Sequence, residues 1–177
     1  MNNAMNGVMN SAMNLVAKLL AGAVVYFSST VWAECDKTVT ATTPAERFIV
    51  ESSNVVKDLD TGLQWQRCPL GANWSDETGC EPVGQLQHSW DQALAAGQDG
   101  WRLPNKKELA SIIEYQCRLP ALNEQIFPAL SDGEEAYWTS TPLIYFSQPT
   151  VWAIDFADGA FINRATSEAL RVRLVRD

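Results

Sequence analysis

The sequence predicts an α+β domain with a mostly antiparallel sheet, two helices and two disulfides. Strand-like alternation of apolar and polar residues occupies residues 48–67 and 137–174. Two helix-start signatures lie between these regions, at Ser89 and Asn105. Four cysteines are present, an even number. Strands followed by helices and then by strands indicate one α+β domain.

The first 33 residues have the layout of a signal peptide. An apolar run from Leu19 to Phe27 is followed by Val31-Trp32-Ala33, with small residues three positions and one position before Glu34. The run is shorter than the roughly 20 residues that cross a bilayer. An uncleaved N-terminal anchor is the alternative. We therefore expect residues 1–33 to be removed and residues 34–177 to form an exported domain, periplasmic, on the cell surface or extracellular, with no membrane span after cleavage.

The charge of the chain excludes some partners. It has 13 Lys and Arg residues against 21 Asp and Glu, a net charge of −8. Because residues 1–33 hold only the cation Lys18 and no acid, the exported part carries −9. An acidic exported domain is a poor candidate for binding nucleic acid or anionic lipid. It would also repel a polyanionic sugar unless its few basic residues cluster.

All four cysteines, Cys35, Cys68, Cys80 and Cys117, follow the predicted cleavage site, which favours two disulfides. Three pairings are open, and the short loop suggests Cys68–Cys80, which would leave Cys35–Cys117. A zinc site is disfavoured because the chain lacks a CxxC pair and has a single histidine, His88. We expect no metal and no cofactor.

The densest local signal lies in Trp101-Arg102-Leu103-Pro104-Asn105 and the residues that follow. Pro104 stops an incoming extended segment, and Asn105 is a favoured helix N-cap. Glu108 can reach back to the amide of Asn105. A helical stripe of apolar residues follows and predicts a helix over 106–116: Leu109, Ile112 and Ile113. Arg102 should be partly buried and paired with Glu108 or Asp155.

The remaining elements follow from alternation and turn residues. Phe48–Val50 and Asn54–Asp58 predict short strands, and Gly62 allows a turn before a strand over Leu63–Arg67. Residues 68–87 read as a polar loop closed by Cys68–Cys80. The other predicted elements are a short helix from Ser89 through Ala96, strands at Tyr137–Thr141, Val151–Phe156 and Phe161–Asn163 with a turn over 157–160, and a last strand over Leu170–Leu174 with Arg171 and Arg173 on a wet or ion-paired face.

Catalytic patterns are absent from the sequence. It contains neither GxSxG nor HExxH, and a triad would have to use His88, which we interpret as a surface or capping histidine. Three carboxylate pairs are present, but all fall in predicted turns or loops, where solvated acids are expected: Asp58/Asp60, Glu134/Glu135 and Asp155/Asp158. We therefore expect a non-enzymatic protein.

Two sets of residues are candidates for ligand contact. Trp74 lies in the predicted disulfide loop, where an exposed aromatic ring could bind a ligand, whereas Trp65, Trp90, Trp101 and Trp138 lie on predicted elements and should belong to the core. The second set is a basic strip near the C-terminus that could bind an anion: Arg164, Arg171, Arg173 and Arg176.

An ordered series of motifs resembles the C-terminal domain of the bacterial collagen-like adhesin Lcl and covers nearly all of residues 34–177. The motifs include Thr42-Thr43-Pro44, Arg47-Phe48, Asp60-Thr61-Gly62-Leu63-Gln64-Trp65, Arg67-Cys68, Trp101-Arg102-Leu103-Pro104-Asn105, Lys107-Glu108-Leu109, Pro120-Ala121-Leu122-Asn123, Phe127-Pro128, Tyr137-Trp138-Thr139-Ser140 and Val172-Arg173-Leu174-Val175-Arg176. The resemblance implies the C-type-lectin-like fold, which formylglycine-generating enzymes share, and it supports the pairs Cys68–Cys80 and Cys35–Cys117.

The resemblance also implies a function. In the adhesin this domain binds sulfated glycans and follows a collagen-like stalk, and this sequence has no Gly-X-Y repeat. We expect an adhesin-like domain that binds a glycan or a surface protein. The alternatives are an enzyme of the formylglycine-generating kind, for whose copper-binding cysteine pair we find no counterpart, and a structural component of the cell envelope.

Overall fold

The computed structural model describes residues 33–130, 136–144 and 149–177. The predicted signal peptide, apart from Ala33, and the Glu134/Glu135 pair lie outside the described residues. Within the described part of the chain, no helix is long and apolar enough to cross a bilayer.

Eleven strands and two short α-helices make up the described fold. In chain order they are β1 (Glu34–Cys35), β2 (Phe48–Ser52), β3 (Val55–Asp58), β4 (Gln64–Gln66), β5 (Ala72–Ser75), β6 (Gly79–Pro82), α1 (Trp90–Ala95), α2 (Lys106–Ala110), β7 (Cys117–Arg118), β8 (Ala136–Leu143), β9 (Thr150–Asp155), β10 (Ala160–Ala165) and β11 (Val175–Arg176). A single 3₁₀ turn, Ala45–Arg47, precedes β2.

The strands form a four-stranded sheet in the order β11-β4-β3-β2, a three-stranded sheet in the order β10-β9-β8, and the two-stranded ladders β5-β6 and β1-β7. Every ladder among these strands is antiparallel. The predicted α+β class with a mostly antiparallel sheet and two helices is confirmed. The C-type-lectin-like topology stays a prediction.

Two clusters of buried side chains hold these layers together. The larger one joins the four-stranded sheet and α2 to one face of β8 and β9, and its members include Val56, Trp65, Leu109, Ile112, Ile113, Tyr137, Ile154, Phe156 and Val175. The second covers the other face of the three-stranded sheet with Ala93, Leu103, Trp138, Val151, Ala153, Leu170, Val172 and Leu174. Trp65 and Trp138 are completely buried as predicted, whereas Trp90 and Trp101 are partly exposed.

Both predicted disulfides are present, Cys68–Cys80 and Cys35–Cys117. The second fastens β1 to β7 just beyond the α2 region. The predicted loop 68–87 is wrong in part, because Ala72–Pro82 forms the β5-β6 hairpin with Trp74 directly opposite Cys80. The disulfide therefore closes a short ladder.

The helix predicted over 106–116 is too long. Helix α2 ends at Ala110, and the next amides bond three residues back, from Ile112 to Leu109 and from Ile113 to Ala110. Such turns are tighter than an α-helix. Ile112 and Ile113 are buried nevertheless, and the turns bring the Glu114 carboxylate to the amides of Thr42 and Thr43 at 2.9 and 2.7 Å.

The predicted strand over residues 170–174 is also wrong. Leu170 and Arg171 form only isolated β-bridges, and the last strand of the chain is β11, which begins at Val175. Arg171 and Arg173 are 1% and 0% exposed, so neither lies on a wet face. The Arg173 guanidinium donates to the carbonyl oxygens of Gln66 and Arg67 at the end of β4. Its charge is therefore used to satisfy backbone carbonyls inside the fold.

Asp58 is not the solvated turn acid that the sequence suggested, because it is completely buried. The Arg47 guanidinium donates from Nε to Oδ1 at 2.6 Å and from Nη2 to Oδ2 at 2.5 Å. Burial acts to raise the pKa of Asp58, but Arg47 and the Thr61 hydroxyl outweigh it, so the pKa lies below its ordinary value. The turn with Gly62 at φ +76° thus has a buried ion pair at its base.

Removing the disulfides should destabilise the domain unequally. The chain-entropy relation gives about 3 kcal/mol for Cys68–Cys80, which spans 12 residues, and more than about 4 kcal/mol for Cys35–Cys117, which spans 82. We expect thermal unfolding at a lower temperature with reductant, and the Cys35→Ser/Cys117→Ser variant to lose more than Cys68→Ser/Cys80→Ser. Overlapping curves with and without reductant would contradict this.

The Glu114 carboxylate should make stability depend on pH. Burial acts to raise its pKa, but hydrogen bonds from Thr42, Thr43 and Gln116 lower it below the ordinary value of 4.5. A carboxylate with a lowered folded-state pKa stabilises the fold above about pH 4.5, and this contribution is lost as the pH falls further. We expect Glu114→Gln to lower the free energy of unfolding at pH 7 and to flatten its decline toward pH 3. Urea unfolding at both pH values measures this, with the substitution Glu46→Gln at an exposed position as control. If the free energy of unfolding of Glu114→Gln falls toward pH 3 as steeply as that of the unsubstituted protein, the explanation is wrong.

Candidate functional site

Trp74, the aromatic candidate from the sequence, is a partly buried anchor of the hairpin. Its ring packs against the cluster formed by the Cys68–Cys80 disulfide and Leu130. The Arg67 guanidinium lies 3.5 Å from the ring centroid, and the indole N–H donates to Asp76 Oδ1 at 2.7 Å. One face of the ring is therefore covered, and only part of the side chain remains for contact with a ligand.

The arginine candidates do not form a surface strip. Arg171 and Arg173 are buried, as described above, whereas Arg164 is partly exposed on β10 with its Nε 3.6 Å from Glu168 Oε2. Arg176 stacks on the Trp101 ring, with 4.6 Å between its guanidinium carbon and the ring centroid. The structure therefore does not bring these four side chains together on the surface.

The motif Trp101–Asn105 and Glu108 forms the junction that the sequence predicted. Asn105 Oδ1 accepts from the amides of Lys107 and Glu108 at 2.9 and 3.0 Å, and Glu108 Oε2 accepts from the Asn105 amide at 2.7 Å. The same carboxylate binds both terminal nitrogens of Arg102 at 2.8 and 2.9 Å. Glu108, and not Asp155, is the predicted partner that pairs, with Asp177 Oδ1 as a second acceptor at 2.9 Å, and both raise the pKa of the Arg102 guanidinium. The start of α2 is thereby fixed.

The junction also fixes Lys106, the first residue of α2. Its amide donates to Thr141 Oγ1 at 2.9 Å, and the helix packs against β8 and β9. The side chain then extends over the three-stranded sheet. Lys106 Nζ lies 3.8 Å from the Trp152 ring centroid and 5.1 Å from that of Phe161. Both distances allow cation–π attraction.

We call the group of Lys106, Trp152, Phe161 and Asn163 the aromatic–lysine surface. Asn163 on β10 is directly opposite Trp152 on β9, so the two side chains share one face of the sheet. Phe161 is 44% exposed, Asn163 is exposed, and Trp152 and Lys106 are partly exposed. Within the described part of the chain, no carboxylate lies within ion-pair distance of Lys106. This surface combines one exposed ring, one partly exposed ring, an ammonium and a carboxamide on a helix and two paired strands.

The sequence reasoning missed this surface. The sequence predicts Trp152 on one strand and Phe161 on the next, but no local pattern indicates that Lys106, more than 40 positions earlier in the chain, reaches both rings. A usable signal was the alternation around Trp152, whose neighbours Val151 and Ala153 are buried. In a strand, this alternation directs Trp152 to the opposite face.

A cleft of about 480 Å³ beside the Cys35–Cys117 disulfide is a weaker candidate. Its buried acid, Glu114, already accepts hydrogen bonds from Thr42, Thr43 and Gln116. A carboxylate with its oxygens occupied has little capacity left for a ligand. The aromatic–lysine surface is therefore the better candidate for ligand contact.

The fold and its bonds define a disulfide-bonded α+β domain with a capped Trp-Arg-Leu-Pro-Asn junction at its centre. The family model of the Lcl C-terminal domain matches residues 54–176, more than half of the chain. The chain belongs to the Lcl C-terminal domain family, as its motifs predicted. The comparison with curated proteins found no significant match.

The two roles of Glu108 can be separated by substitution. Glu108→Gln can still bond the Asn105 amide, because glutamine also serves at this position of a capping box, but it loses the charged pair with Arg102. We expect a loss of about 1 kcal/mol for Glu108→Gln and about 2 kcal/mol for Glu108→Ala, which also loses the cap. Urea unfolding measures both against the exposed Glu77→Ala. Equal losses for the two variants would mean that the bond to Asn105 contributes nothing.

Proposed function

We propose that the protein is an exported, non-enzymatic domain of the Lcl C-terminal family that binds a glycan or a surface protein at the cell envelope or outside it. The observation that carries the proposal is the aromatic–lysine surface. The half-exposed Phe161 offers an apolar face to a sugar ring or an apolar side chain, and Asn163 offers a donor and an acceptor.

Rigidity supports this role. Trp152 and Phe161 lie on paired strands, the backbone of Lys106 is held by the capped junction and by Thr141, and its ammonium lies against both rings. Ligand contacts cost less entropy when the side chains that make them are already ordered. The two disulfides favour an exported location, since such bonds persist in oxidising compartments.

The state of the cysteines favours binding over chemistry of the formylglycine-generating kind. All four are joined in disulfides, so neither pair is present as thiols that could bind copper or react. A thiol titration of the folded protein tests this point. Two free thiols together with copper uptake would favour the enzyme.

Phe161→Ala is the sharpest test of the binding proposal. The side chain is 44% exposed and lies outside the two main clusters of buried residues, so its removal should leave the fold intact. We expect about tenfold weaker binding to the ligands found on a glycan array, and weaker adhesion of beads coated with the protein, because one stacking contact is lost. Far-UV and near-UV circular dichroism check that the variant is folded.

Tyr115→Ala is the matched control, because Tyr115 is an exposed aromatic side chain (55%) that does not belong to the surface. Trp74→Ala forms a third arm. Loss of binding in Trp74→Ala but not in Phe161→Ala would move the binding site to the β5-β6 hairpin. Binding to no glycan and no adhesion would argue against the proposed function and favour a structural envelope component, which a pull-down with a tightly bound partner would identify.

A further inference from the structure

We propose that the aromatic–lysine surface selects a glycan that carries an isolated carboxylate, such as a sialic-acid or uronic-acid residue, with Lys106 as the residue that recognises the charge. This inference rests on the proposed function and names the ligand class of the same surface. It starts from the surroundings of Lys106 and from the distribution of charge over the rest of the chain.

The Lys106 ammonium lacks an acidic partner within the described residues, unlike several arginines of the same chain. Arg47, Arg102, Arg118 and Arg164 each lie within 4.0 Å of a carboxylate. Among the described residues, the Lys106 ammonium lies against two aromatic rings, which satisfy none of its three N–H donors with an oxygen. A ligand carboxylate would provide the acceptor that the described protein does not.

The side chains beside Lys106 indicate which other chemical groups the ligand should carry. The exposed Phe161 ring would contact the apolar face of a sugar ring, while Lys106 Nζ, which lies over the partly exposed Trp152 ring at 3.8 Å, donates to its acid group. Asn163, opposite Trp152, can bond hydroxyl groups. A sugar acid combines the corresponding three features in one residue: an apolar ring face, a carboxylate and hydroxyl groups.

The charge of the chain disfavours a polyanion at this surface. The net charge is −8, and the surface holds a single cation. A densely sulfated chain would place many charges against one ammonium and near an acidic protein, so repulsion would act on all but one of them. An isolated carboxylate meets Lys106 directly, and screening over about 8 Å at physiological salt weakens the more distant acids.

The test compares one glycan in two charge states. We would measure binding of 3′-sialyllactose and of its methyl ester to the full chain by titration calorimetry, and repeat this with tetragalacturonate and its methyl ester. We expect about tenfold tighter binding of at least one acid over its ester. Lys106→Gln should abolish this preference while binding of the ester is retained, because the rings remain. A heparin-derived oligosaccharide should bind more weakly than the preferred acid.

Lys107→Gln is the matched control, because it removes the same charge from the next residue, an exposed side chain that contacts neither ring. It should keep the preference for the acid over the ester.

Equal binding of acid and ester that depends on Phe161 would overturn the inference and leave the proposed function standing. Equal effects of the two lysine variants, or tighter binding of the heparin fragment that Lys106→Gln does not change, would also overturn the inference. Failure of every glycan to bind, together with no effect of Phe161→Ala on adhesion, would overturn both.

Discussion

The carboxylate of Glu108 is the group on which the rest of this structure depends. It accepts from the Asn105 amide at 2.7 Å and binds the Arg102 guanidinium through two nitrogens. The backbone of Arg102 is in turn paired with Val175 of β11, with N–O distances of 2.8 and 3.0 Å. One side chain therefore joins the edge of the four-stranded sheet to the start of the helix that lies on the three-stranded sheet.

This dependence follows from the length of α2. A helix of five residues has no stability of its own in water, because nucleation costs more than its few hydrogen bonds return. Its position must come from the cap at one end and from the burial of Leu109, Ile112 and Ile113. Lys106 stands at the capped end. The placement of its ammonium over Trp152 and Phe161 is thus a property of the whole fold and not of the helix alone.

Features set by a few neighbouring residues could be predicted from the sequence, such as the caps at Ser89 and Asn105 and the turn at Gly62. Features set by distant partners could not. The alternation over residues 170–174 places arginines on one side of an extended segment. It does not show whether these arginines face water or donate to buried backbone carbonyls, and Arg173 donates to carbonyls. The aromatic–lysine surface depends on three separate elements, and no local pattern links them.

The use of arginine inside the fold has a consequence for ligand recognition. Arg67 and Arg173 are buried and donate to backbone carbonyls, while Arg47 and Arg102 neutralise carboxylates. Their charges therefore stabilise the fold and do not gather on the surface. From its net charge, the domain is expected to repel a polyanionic sugar unless its basic residues cluster. In the described structure, the C-terminal arginines do not lie together on the surface. The single negative group that we propose beside Lys106 would meet a local attraction, while the repulsion of distant acids is screened.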